Sequence, residues 1–335
     1  MKKAWVSLIF VIVVLGAATV FLLKFDFKRE QASEHKYEHD LAIMNKSFKR
    51  DLERSVILYK SFEKYFLGAE SVPFVIVIPA GDWDLFMNRF KNLKDRKEIE
   101  NIPQFITEQE VFERCNEPDI SSNGGLAQQA VKLCFGSTRI AKNYIMMDSD
   151  NYFIKEFDPK ILFKGGVSKT FSWKLPESYI EKNKIAILSC CINPIMRNNG
   201  QSITHYDMHV FIKDFFGNKK KEFYGFVMSP FVFNSDALAR MKKWIDKKGG
   251  YKIATLIRLM PFEMQWYGEY MLQHENFIPM NAIFTLIESP DHCYLEDGGD
   301  AYGFTFQAII YDYVDHQGNR ENSQLVYKRP AHCDK

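Results

Sequence analysis

Two short runs in the chain are almost wholly apolar: Phe74–Ile78, reading FVIVI, and Tyr144–Met147, reading YIMM. A strand with one wet face alternates apolar and polar residues, so a run without alternation has both faces covered. Each run stops on a turn, Pro79-Ala80-Gly81-Asp82 after the first and Asp148-Ser149-Asp150 after the second. The stretch DWDLFMNRFKNL, behind the first turn, carries apolar residues at helical spacing. Strand, turn and helix in that order open a doubly wound sheet with helices on its faces. No GxGxxG follows the first run, so the standard dinucleotide fingerprint is absent.

The same grammar continues. IPQFITEQEVFERC reads as a short strand and a helix, and GGLAQQAVKLCFGSTRIAK as a helix leading into the strand NYIMMD. GFVMSPFVFNSDALARMKKWIDKKGG reads as a strand and then a helix capped by Asn234 or Ser235 and ended by Gly249-Gly250. PFEMQWYGEYMLQH is a further helix, and AYGFTFQAIIYDYVD a late strand. No repeat, low-complexity segment or second domain boundary follows Ser71.

The N-terminus is different. Ala4–Leu23 is apolar or small throughout, and about 20 such residues span the ~30 Å hydrocarbon core of a bilayer. A cleaved signal peptide has an apolar region of about 7–15 residues, so the expectation is an uncleaved single-pass anchor. Lys2 and Lys3 on one side face Lys24, Lys28 and Arg29 on the other, which leaves the orientation open. The protein would sit in the inner membrane of a bacterium, or in a eukaryote as a Golgi-type type II protein with its domain in the lumen. From Lys24 to Gly68 the chain is charged and free of proline. Leu41, Met44, Phe48, Leu52 and Val56 recur there at helical spacing, extended by Ile57 and Phe62. This predicts a helical stalk over 24–70 and a single globular domain over 71–335.

The 44 basic and 42 acidic side chains leave a formal net charge of +2, which argues against a nucleic-acid partner held by broad phosphate neutralisation. Aromatic residues make up 15% of the chain, suiting sites that stack sugars or bases. The six cysteines form no CxxC or CxxH spacing, so a structural zinc site is not expected. They are too few for a disulfide scaffold, and one or two bridges remain open.

The acids that end the second run carry the chemistry. In an open α/β sheet, ligands bind beyond the carboxyl ends of the strands. Side chains two apart on an extended segment point the same way, so Asp148 and Asp150 can converge on one hard cation, magnesium or manganese. A solvated turn would use the same two residues as caps.

MMDSDNYFI resembles the metal-binding aspartate motif of glycosyltransferases with the GT-A fold. The longer series GGLAQQAVKLCF, YIMMDSDNYFI, MSPFVFNSDALARM and FEMQWYGEYM resembles a little-characterised, mostly bacterial family of GT-A-like proteins. That family shares a Gln-Gln-x-x-Lys-Leu helix, the aspartate motif, a Pro-x-x-Phe segment and a Glu-x-x-x-Tyr-Gly helix. The match covers about residues 74–271, lacks the aromatic residue expected before the glutamines, and has an unusually bulky QWYG. The resemblance implies a Rossmann-like, mainly parallel sheet and a nucleotide-sugar donor, with a glycan or lipid-linked acceptor. Asp150 would hold Mn2+ or Mg2+, with Asp148 nearer the ribose or bridging through water. The first strand end nominates Pro79, Asp82 and Asp84 as nucleotide contacts. Lys132 and Gln129 would orient the donor or the aspartate loop. Glu263 would recognise the acceptor or act as general base, with Glu269 in reserve. His292 and His274 are candidate third metal ligands, and His205 and His209 sit four apart. Two rival readings are a non-catalytic GT-A-like domain that binds glycans or a partner, and a metal-dependent phosphotransferase or nucleotidyltransferase. The latter lacks a Gly-rich phosphate loop.

Overall fold

The computed structural model describes residues 36–175, 205–226, 230–280, 284–286 and 303–305. The expected anchor, Ala4–Leu23, lies outside the described residues, among which no helix is long and apolar enough to cross a membrane. The compact unit described here begins at Glu38.

A five-stranded sheet forms its centre. Its strands are β1 (His39–Lys46), β2 (Phe74–Ile78), β3 (Gln104–Thr107), β4 (Ala141–Asp148) and β5 (Phe231–Asn234), in the order β5-β4-β1-β2-β3. β1 runs parallel to both β2 and β4, and β2 to β3, while β5 is antiparallel to β4. Mixed α/β architecture with a mainly parallel sheet is therefore as expected. Every residue of β2 is buried, as is the run from Asn143 to Met147 in β4. The absence of alternation in these strands reflects cover on both faces.

The helical reading of residues 39–46 is corrected. They form β1, the middle strand, with Ala42, Ile43 and Met44 fully buried. The helical spacing from Leu41 to Val56 was a coincidence across a boundary. Leu41 and Met44 belong to the strand, Phe48 is exposed, and Leu52 and Val56 lie on α1 (Leu52–Tyr65). Residues 39–65 are thus part of the sheet unit rather than a stalk.

The helices α2 (Trp83–Asp95), α3 (Glu108–Cys115) and α4 (Gly124–Cys134) follow in turn. Beyond them come α5 (His205–Phe215), α6 (Ser235–Gly249), α7 (Ile253–Leu259) and α8 (Glu263–His274). Thr107 and Glu110 close a capping box on α3. Asn234 caps α6 by accepting from the Ala237 N–H, and Gly250 ends it with φ +66°. The late strand is present as Gly303–Thr305, paired with Asn151–Phe153 and Phe284–Leu286.

Cys115 and Cys134 form a disulfide that ties the end of α3 to the end of α4. The other four cysteines lie outside the described residues.

The register sets the site. Lys46 lies level with Asp148 on one side and Val77 on the other, so the carboxyl ends of β1, β2 and β4 share one edge. The chain lays down β1, β2 and β3 outward, then returns across β1 to place β4. The strand order reverses between β1 and β4, where α/β sheets open a ligand crevice.

Candidate functional site

Three of the predicted residues meet at that edge. Lys132 Nζ lies 2.7 Å from Asp148 Oδ1 and 2.8 Å from Glu263 Oε1. Lys132 and Glu263 are buried, and the Asp148 side chain is 27% exposed. Each element has its own brace. The Tyr144 hydroxyl donates to the Lys132 carbonyl at 2.6 Å, binding β4 to α4. Trp266 Nε1 donates to the Met260 carbonyl at 2.8 Å and fixes the entry of α8, whose first residue is Glu263. The Tyr267 hydroxyl accepts from the Asn234 N–H at 3.0 Å, and its ring packs on Phe233. Gly268 is required by a close approach: a Cβ there would lie 2.2 Å from the Phe226 ring. The Tyr-Gly pair is therefore a packing device that seats α8 and so positions Glu263.

Burial opposes the Lys132 ammonium, but Asp148 and Glu263 outweigh it and hold its pKa above the usual lysine value. Asp150 behaves differently. Burial first, and then the Asp148 carboxylate, push its pKa up to about 7, while Arg54 and Lys132 pull it back. Asp150 Oδ1 is buried with no hydrogen-bond partner among the described residues. A buried carboxylate oxygen of that kind is costly unless something fills the place, and a divalent cation fits it. No group of three or more His, Cys, Asp or Glu residues suited to a metal occurs among the described residues. The protein's share of such a site would be Asp150 and Asp148, in keeping with a cation bound by one or two carboxylates and by substrate phosphates.

Other predicted residues take different places. Gln129, one turn before Lys132, is buried with its Oε1 unpartnered among the described residues. Pro79 and Asp82 end β2, across β1 from β4. Asp82 Oδ2 accepts from the Lys49 N–H at 2.8 Å, so it braces the turn between β1 and α1. Asp84 is exposed in the first turn of α2. Glu269 turns to Asn218 and Gln265, at 3.0 and 3.3 Å, rather than to Lys132. His274 packs among Phe216, Trp244 and Tyr270, His209 is buried edge-on to Phe223, and His205 opens α5. His292 lies outside the described residues.

Sequence reasoning missed the end of β1, where a polar group fills the edge. Asn45 Nδ2 donates to the Met147 carbonyl at 3.0 Å and Ser55 Oγ to Asn45 Oδ1 at 2.9 Å. Ser55 Oγ also lies 2.7 Å from Ser47 Oγ. Lys46 Nζ pairs with Glu108 Oε1 at 2.8 Å, both side chains almost fully buried. The signal was present: LAIM stops on Asn-Lys-Ser as YIMM stops on Asp-Ser-Asp.

Residues 40–190 match the model of a family of unknown function, DUF6492. A search of curated protein sequences finds no match. Among solved structures, the apo form of WbbM, a bifunctional glycosyltransferase, is similar at a TM-score of 0.48 and 9% identity. The likeness covers 81% of this chain and 46% of that one. The chain spans less than half of that neighbour's length, and a likeness at this level assigns it neither fold nor chemistry.

Proposed function

We propose that the chain is a glycosyltransferase of the GT-A type, moving a sugar from a nucleotide-sugar donor to a glycan or lipid-linked acceptor. The observation that carries this reading is the Lys132 bridge. One buried ammonium joins the aspartate turn to the first residue of α8 at the crevice between β1 and β4. The Gln-Gln-x-x-Lys-Leu, aspartate and Glu-x-x-x-Tyr-Gly segments thereby become one site.

In this reading, Asp150 with Asp148 would hold Mn2+ or Mg2+, which supplies positive charge to the leaving diphosphate. Lys132 ties Asp148 to Glu263 and fixes their separation. Glu263 stands ready to accept the proton of the acceptor hydroxyl. The first strand end, which in GT-A enzymes contacts the nucleotide, is that of β1 and not of β2. This moves the donor contacts from Pro79 and Asp82 to residues 45–54. The membrane anchor at Ala4–Leu23 belongs to the same proposal and would hold the enzyme beside a lipid-linked acceptor.

A screen of sugar nucleotides for hydrolysis and transfer, with and without manganese, tests the proposal. One donor should be turned over in a metal-dependent way. Glu263→Gln should slow transfer while donor binding survives. No turnover of any donor, with glycan binding retained, would favour the non-catalytic reading.

A further inference from the structure

Three cations reach the carboxyl ends of β1 and β4. Lys46 is the last residue of β1, Lys132 pairs with Asp148 at the end of β4, and Arg54 adjoins Ser55, whose Oγ lies 3.3 Å from Ser149 Oγ. Two of the three are already committed. The Lys46 side chain is 4% exposed and its ammonium is held by Glu108 Oε1 and the Ser47 carbonyl. The Lys132 side chain is 5% exposed and its ammonium is held by Asp148 and Glu263. Arg54, in the first turn of α1, differs. Its side chain is 25% exposed, and NH1 makes an i,i+3 ion pair with Asp51 Oδ1 at 2.8 Å. A guanidinium has five N–H donors in a planar fork, so most of its donors remain after that contact.

Its placement is fixed by its neighbours. Ser55, the next residue, is buried among Asn45, Ser47 and Ser149, which pins this turn of α1 to the crevice. Asp82 holds the Lys49 N–H and steadies the turn leading into the helix. Asp51 holds the guanidinium from one side. A diphosphate arriving beside Asp148 and Asp150 meets two carboxylates, and Arg54, partly exposed and next in sequence to the Ser55 that reaches Ser149 between them at 3.3 Å, is a cation on the helix turn pinned beside them.

We propose that Arg54 is the residue that grips the diphosphate of the donor nucleotide, two N–H groups of the fork meeting two phosphate oxygens. The exposed Lys49 and Arg50, in the single turn before α1, add to the field, and their side-chain cations make no hydrogen bond or ion pair among the described residues. The inference rests on the nucleotide-sugar reading, and the experiment separates the two.

The full chain, in mild detergent, is titrated calorimetrically with UDP, GDP and inorganic pyrophosphate, and with uridine and guanosine, with and without manganese. Arg54→Ala should weaken every diphosphate the wild type binds by roughly tenfold or more, and leave nucleoside affinity unchanged. Arg54→Lys, which keeps the charge and loses the fork, should fall between. Arg89→Ala, which removes a surface arginine of α2 paired with Glu53, the residue before Arg54 on α1, should bind like the wild type. Thermal melts confirm that each variant is folded. Diphosphate affinity unchanged in both Arg54 variants overturns the role of Arg54 and leaves the transferase reading standing. A wild type that binds no diphosphate overturns both.

Discussion

Lys132 and Glu269 show opposite ways of burying charge. Lys132 has two carboxylates against its ammonium and stays charged. Glu269 is fully buried and faces Asn218 and Gln265, with Lys213 and Lys220 at longer range. Burial dominates, and its pKa is raised from 4.5 to about 7. A carboxyl with a raised folded-state pKa contributes its full stability below the unfolded value and loses it as pH rises through the folded one. The window here runs from about 4.5 to about 7. Glu269→Gln should therefore match the wild type near pH 4 and exceed it above pH 8, by up to ~3 kcal/mol. Urea melts at the two pH values measure this. A difference that does not change with pH would show that Glu269 is not the buried acid described.

At the scale of elements, legibility followed burial. β2 and β4 could be read because covered strands leave unbroken apolar runs. β1 could not, because its short apolar core, Ala42–Met44, merged by spacing with the face of α1. Missing β1 hid the whole polar edge from Asn45 to Ser47. The residues of the Lys132 bridge were named, yet their meeting was not derivable: Lys132 and Glu263 stand 131 positions apart, and only the packing of α8 against α4 brings them together. The Cys115–Cys134 pairing was equally closed to spacing arguments. The seat of α8 gives a sharp test. Gly268→Ala forces a Cβ into the buried Phe226 ring, so stability should fall by about 1–3 kcal/mol or more. The same displacement would move Glu263 and lower sugar transfer. A stable, fully active Gly268→Ala would mean that α8 is not held by that contact.

For the molecule as a whole, the position of β1 decides what can be removed. A chain beginning at residue 36 keeps all five strands of the sheet and should fold. One beginning at residue 71 loses the middle strand and α1, and should be insoluble or lack a cooperative melt. Circular dichroism melts of the two truncated chains separate these outcomes, and a cooperative fold from residue 71 would contradict the topology. The anchor is a separate question, answered by whether the full chain stays with membranes through a carbonate wash. The central claim concerns the acids at the crevice. It is tested most directly by the turnover of a sugar-nucleotide donor in Asp148→Asn, in Asp150→Asn and in the double variant. Each change removes one charge and keeps the side-chain volume. If the two acids hold the cation that meets the diphosphate, several kcal/mol of transition-state stabilisation disappear, and turnover should fall by orders of magnitude while the fold survives. If they only shape a turn, the loss is about 1 kcal/mol of stability and activity is unchanged. A double variant that transfers sugar at the wild-type rate would contradict the account.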